Sequence, residues 1–129
     1  MLEETCEVLT GSPVFSKAVD VTDSDAVATA VQQTATDLGG IDILVNTAGI
    51  AGPTVPSREY PIPDWQQVID VNLSGVFYCL QAVGRHMYER AGTGDTSPAS
   101  IVNISSDAGR RGTVGQIKYG GAKSGVMGI

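Results

Sequence analysis

The 129-residue sequence predicts an α/β fold in which helices cover an open, doubly wound parallel sheet. Two short, nearly continuous apolar runs, Ile41-Asp42-Ile43-Leu44-Val45 and Ser100-Ile101-Val102-Asn103-Ile104, read as strands covered on both faces. Between and around them, apolar residues recur at spacings of three and four, the period of a helix with one buried stripe. Strand and helix therefore alternate, and such crossovers are right-handed in an open sheet.

The elements follow in order. Leu2, Cys6 and Leu9 predict a helix that stops at the turn cluster Gly11-Ser12-Pro13, and residues 14–21 predict a strand. Thr22-Asp23-Ser24 offers side-chain oxygens to cap the next helix, which turns Val27, Val31 and Leu38 inward and ends at Gly39-Gly40. After the first apolar strand comes a Gly- and Pro-bearing loop over residues 50–63, longer than most strand-to-helix connections and so a candidate for function. A single amphipathic helix over residues 64–88 then carries Trp65, Ile69, Leu73, Val76, Leu80 and Val83 inward. Residues 91–99 read as a surface loop, residues 100–104 as the second strand, and a last helix runs from about Ile117 to the end. Neither an internal repeat nor a low-complexity tract is visible, so residues 1–129 are expected to form one domain.

Composition narrows the function classes. Fourteen acidic residues against eight basic ones give a net charge of −6, the opposite of the basic face that nucleic-acid binding needs. The two cysteines, Cys6 and Cys79, are too few for a disulfide framework or a four-cysteine zinc site, and both sit at apolar helix positions; no metal site is expected. That usage fits a reducing compartment. The start lacks a basic, apolar leader, and no window approaches the roughly 18 apolar residues of a membrane span. The expectation is a soluble, cytoplasmic protein with neither nucleic acid nor membrane as partner.

Four features bear chemistry. Tyr119 and Lys123 lie four apart, so on a helix they share a face and the ammonium can approach the phenol. A free phenol titrates near about 10, and a nearby cation favours the phenolate, which makes tyrosine usable as a general acid or base. Taken alone the pair is an ordinary surface pair. Ser105 and Ser106 follow the second strand at its carboxyl end, where ligands bind open α/β sheets, although serines there also satisfy turn backbone. Asn46-Thr47-Ala48-Gly49 closes the other strand at the same edge, with small residues that let a flat ligand approach and an amide that can tie down loop N–H groups. Asn72 stands among Val71, Leu73 and Val76, where a buried amide needs partners; its plainer reading is a satisfied helix-kink residue.

Together these residues resemble the short-chain dehydrogenase/reductase family in its single-domain branch, over residues 20–129. Asp20-Val21 resembles the family's adenine-holding pair. Asn46-Thr47-Ala48-Gly49 is similar to its Asn-Asn-Ala-Gly element, with Thr47 in place of the second Asn. Asn72 within Val71-Asn72-Leu73 matches the catalytic Asn, and Ser106 lies thirteen residues before Tyr119, the usual spacing, whereas Ser105 is one residue too close.

The resemblance implies a Rossmann-like fold and hydride transfer between NAD or NADP and a small alcohol or ketone, sugar or 3-oxoacyl substrate. Tyr119 would exchange the proton and Ser106 would hydrogen-bond the substrate oxygen. Lys123 would hold the nicotinamide ribose and favour the phenolate, and Asn72 would anchor a proton-relay water. Asp20, Val21, Asn46, Ala48 and Gly49 would touch the cofactor, together with Tyr119 and Lys123. The two long helices would form a homo-oligomer interface, and Gln116 is a candidate substrate contact.

Family members open with a Thr-Gly-x-x-x-Gly-x-Gly turn that receives the pyrophosphate, and this sequence has none. Thr10-Gly11 precedes a proline and lacks the later glycines. The expectation is therefore an incomplete, partial Rossmann-like domain that turns over little alone and whose choice between NAD and NADP is unreadable. Its rivals are a non-enzymatic dimerisation fragment and, further off, a sugar-nucleotide epimerase or dehydratase.

Overall fold

A computed structural model of the chain describes residues 14–129. The helix expected at Leu2–Leu9 lies outside them. Five α-helices and two strands follow, starting with α1 (Ser24–Leu38). Asp23 caps α1 by accepting the Asp25 and Ala26 amides, and Gly39 ends it at φ 80°, so both boundaries match the capping chemistry in the sequence. Of the predicted inner face, Val27 is buried but Leu38 is largely exposed. Among the described residues, 14–20 join no strand. The expected first strand is corrected on that point: a strand exists only with a neighbour to complete its ladder, and no described residue supplies one there.

β1 (Ile43–Asn46) and β2 (Ser100–Asn103) pair in parallel, Ile43 opposite Ser100 and Asn46 opposite Asn103. Flanking bonds from Ser100 N to Asp42 O and from Ile104 N to Asn46 O extend the ladder. The expectation that both strands are covered on both faces does not hold among the described residues, since Ile43 is 65% exposed and Val45 51%. Their side chains alternate to a face on which no described helix packs.

The long helix expected over residues 64–88 is three pieces. α2 (Ile62–Ile69) starts with Pro63 in its first turn, a π-helical turn occupies Asp70–Ser74, and α3 (Gly75–Gly92) continues. The Gly75 amide reaches back to Asp70 O, the wide bond of a π turn. Val68, Val76 and Val83 form the buried spine of this unit, while Trp65, Ile69, Leu73 and Leu80 are half-buried. At its far end Arg90 bonds Asp42 at 2.6 Å and Asp95 at 2.9 Å, tying α3 to the foot of β1 and to the loop before β2.

Beyond β2, the residues before the expected last helix contain a short helix, α4 (Asp107–Arg111), and α5 (Ile117–Val126) follows. α5 carries Tyr119-Gly120-Gly121-Ala122-Lys123 and packs on both sides. A Cβ built on Gly125 would lie 2.9 Å from two Leu73 methyls, and one on Gly120 would lie 3.1 Å from the Ala108 carbonyl. A missing side chain is what lets α5 approach α4 and the π turn so closely.

The tightest approach is at Gly109 of α4, where a Cβ would stand 2.7–2.8 Å from the Lys123 and Ser124 backbone. Backbone cannot yield as a side chain end can, so Gly109→Ala is expected to destabilise the fold by about 1–3 kcal/mol in urea unfolding. Gly84, within α3 with nothing within 4 Å of its built Cβ, gives the opposite sign: Gly84→Ala should stabilise by about 0.5–1 kcal/mol.

Candidate active site

Because β1 and β2 run parallel, the residues leaving them emerge at one edge, and α5 crosses that edge. A cavity of about 460 Å³ opens there. The β1 side contributes Thr47, Gly49, Ile50 and Ala51, the β2 side Ile104 and Ser105, and α5 with its preceding turn Gln116, Tyr119 and Lys123. This is the carboxyl edge at which ligands bind open α/β sheets. A larger cavity of about 1080 Å³ adjoins it and shares Gln116, but Tyr119 and Lys123 line only the smaller one.

Tyr119 and Lys123 share this cavity because one helical turn separates them. Lys123 is 4% exposed, its Nζ donates to the Ile104 carbonyl at 2.6 Å, and it stands 6.0 Å from the centre of the Tyr119 ring. An ammonium carries three protons, and Ile104 takes one of them.

The two serines divide their work. Ser105 lines the cavity, and its hydroxyl donates to the Lys123 carbonyl at 2.6 Å, which staples the end of β2 to α5. Ser106 is not among the lining residues. It caps α4, its Oγ accepting the Ala108 amide at 3.2 Å. A serine hydroxyl has one proton and two lone pairs, so Ser105 has spent its proton whereas Ser106 retains one to donate.

Asn72 is 0% exposed at the middle of the π turn. Its Oδ1 accepts the Ile50 amide and its Nδ2 donates to the Ile50 carbonyl, each at 2.8 Å. Both ends of the side chain therefore hold the loop that leaves β1, one donor and one lone pair being used. Gly49 fits against Asn72 and Lys123: a Cβ there would stand 3.3 Å from Asn72 Oδ1 and 3.8 Å from Lys123 Nζ. Asn46 is buried and donates across the sheet to Asn103 Oδ1 at 2.9 Å, which ties the two strand ends together. Ala48 is exposed and stands outside the cavity lining.

Asp20 and Val21 are not brought to this cavity. Asp20 lines a separate one of about 430 Å³ with Gln66 and Asp70. Its carboxyl lies below the usual value because it accepts the Thr22 amide first and the Thr22 hydroxyl second. Val21 seats on Gly75, where a Cβ would come within 2.8 Å of its methyl.

One buried residue of this region escaped the sequence reading. Lys118 is 0% exposed. The signal was its place at the head of the stripe Lys118, Ala122, Val126, four apart and all buried, but a lysine there reads as solvated.

The sequence pattern of the short chain dehydrogenase family matches residues 1–129, and the chain belongs to that family. It is 45% identical over 112 residues to the 2-dehydro-3-deoxy-L-rhamnonate dehydrogenase (NAD(+)) of Sphingomonas sp. strain SKA58, covering 87% of this chain and 43% of that one. Among solved structures, levodione reductase superposes with a TM-score of 0.87 at 32% identity, covering 98% of this chain and 46% of the other. NAD+-bound xylitol dehydrogenase gives 0.81 at 34% identity, covering 88% and 41%. The fold is therefore Rossmann-like α/β, and the chain spans under half the length of these relatives.

Asn72→Ala would leave the Ile50 amide and carbonyl without their partner, and each buried orphan costs about 1–3 kcal/mol. The variant is expected to lose at least about 2 kcal/mol of stability in denaturant unfolding.

Proposed function

We propose that this chain belongs to an oxidoreductase that moves a hydride between NAD or NADP and the carbon of a small alcohol or ketone. The observation that carries the reading is one cavity holding the Tyr119 phenol and the buried Lys123 ammonium at the sheet's carboxyl edge. The donor set fits one end of a nicotinamide dinucleotide. Gly49 leaves room beside Asn72 and Lys123, and an ammonium with protons to spare suits the hydroxyls of a ribose. When bound, the nicotinamide supplies or accepts the hydride.

The remaining work falls to the chain's own groups. In the oxidising direction the phenolate oxygen of Tyr119 takes the proton of the substrate hydroxyl as the carbon gives up its hydride. In the reducing direction the phenol returns that proton to the carbonyl oxygen. Ser106 donates its free proton to the same oxygen and stabilises the charge that develops there. Ser105 acts indirectly, by fixing the backbone of Lys123. Asn72 holds the Ile50 loop through one donor and one lone pair of its side chain, and a relay water would be held by what remains of that amide or by its backbone. Asp20 lines a different recess from Tyr119 and Val21 packs on Gly75; both are read as touching the adenine end of an extended cofactor, with Asn46, Ala48 and Gly49 between.

Similarity to proteins named for a sugar-acid dehydrogenase and for xylitol dehydrogenase supports a sugar-derived or polyol substrate. A 3-oxoacyl substrate is the alternative within the same chemistry. Residues 1–129 are read as part of one nicotinamide-binding domain working in the cytoplasm. No described helix is long and apolar enough to cross a membrane, and among the described residues Cys79 forms no disulfide. Exposed Phe77 and Tyr88 on α3 and Ile117 on α5 support a homo-oligomer through these helices.

The test is the nicotinamide absorbance change with a panel of polyols, sugar acids and ketones, in the protein that carries this sequence. Tyr119→Phe should lower kcat by about 100-fold or more, the span of general acid–base catalysis, and turnover retained in that variant would refute the assignment. Ser106→Ala should cost turnover far more than Ser105→Ala, because only Ser106 has a proton to give the substrate.

A further inference from the structure

Lys118 precedes the proton-transfer tyrosine and points to the opposite purpose: its whole side chain is inside the protein. Burying an ammonium is costly unless its protons are met, and no carboxylate pairs with it among the described residues. Its partners are two carbonyls and a ring. Nζ donates to the Pro53 carbonyl and, at 3.4 Å, to the Gly115 carbonyl, and it stands 4.7 Å over the Tyr60 ring.

Each of these partners is itself tied to the loop after β1. The Pro53 carbonyl also accepts the Tyr60 hydroxyl at 3.2 Å, and the Gly115 carbonyl also accepts the Val55 amide at 3.1 Å. The stem of the lysine touches the loop as well, since a Cβ on Gly52 would come within 3.2 Å of Lys118 Cε and 2.8 Å of Val68. One ammonium therefore joins the start of the loop, its far end at Tyr60, and the turn that leads into α5.

We propose that Lys118 is a positioning residue that clamps residues 52–60 against the turn at Gly115 and so sets the wall between the Tyr119 cavity and the larger one beside it. The two cavities meet at Gln116, which reaches Thr54 of the clamped loop at 3.4 Å. A loop released at Pro53 and Gly115 frees that wall, and a substrate held near Tyr119 loses its far side. The link to substrate rests on the oxidoreductase reading; the clamp itself does not.

Hydrogen exchange on the chain separates the two. Lys118→Met keeps the length of the stem and removes the three donors. The Val55 and Tyr60 amides should then exchange about tenfold faster, while the amides of α1 stay within about twofold of the unaltered chain. No change at Val55, or an equal rise in α1, overturns the clamp. If Lys118→Met fails to fold, Tyr60→Leu serves in its place. It removes the ring and hydroxyl from the edge of the cluster and should show the same local rise, and its absence overturns the clamp equally. In the active protein the clamp predicts a KM about tenfold higher with kcat within about threefold, as expected for lost substrate binding alone; a fall in kcat at constant KM sinks the positioning role. Absence of turnover in the unaltered protein refutes the oxidoreductase reading and leaves the exchange result standing.

Discussion

The structure depends on one buried amide. Asn72 sits where the helix after the long loop would otherwise run straight, and its two hydrogen bonds to the Ile50 backbone hold that loop against the helix from the inside. Asn72 lies within the π turn of Asp70–Ser74, and its two amide atoms meet the backbone N–H and C=O of one residue, Ile50. A local irregularity persists when its surroundings over-determine it, and here the partner groups would be orphaned without it. The cavity of Tyr119 is bounded on one side by the loop so held.

Two lysines five residues apart on α5 are both buried, and both are satisfied mainly by backbone carbonyls rather than carboxylates. Carbonyl partners suit a site of this kind. They fix an ammonium in place without cancelling its charge, so Lys123 keeps a positive field at the cavity. The same device at Lys118 acts on the loop. α5 thus presents one cation to the Tyr119 cavity and one to the loop beside it, on neighbouring stripes of the same helix.

The glycines of α5 belong to the same economy of space. Glycine within a helix is unfavourable by about 1 kcal/mol relative to alanine, yet Gly120 and Gly125 let the helix lie against Ala108 and Leu73 at distances a side chain would forbid. That approach brings the Lys123 carbonyl within reach of Ser105 and the Lys123 ammonium within reach of Ile104. Packing distance, rather than helix propensity, decides what stands at these positions.

Periodicity and capping chemistry were enough to place α1, β1, β2 and the start of α5, because those signals are local: Asp23 caps with its own side chain and Gly39 terminates with its own backbone. Residue spacing was also enough to pair Tyr119 with Lys123. A kink at Asn72 was legible as the plainer reading of a buried helix amide, but its partner was not; nor were the burial of Lys118 and the different duties of Ser105 and Ser106, since each is set by a group distant in sequence: Ile50, Pro53 and Lys123. The missing partner of residues 14–20 and the bare faces of Ile43 and Val45 are of the same kind, because a strand is defined by its neighbours. A short stretch of chain specifies its own turns and stripes; which proton of which side chain is spent, and on what, is decided only when remote backbone is brought within about 3 Å.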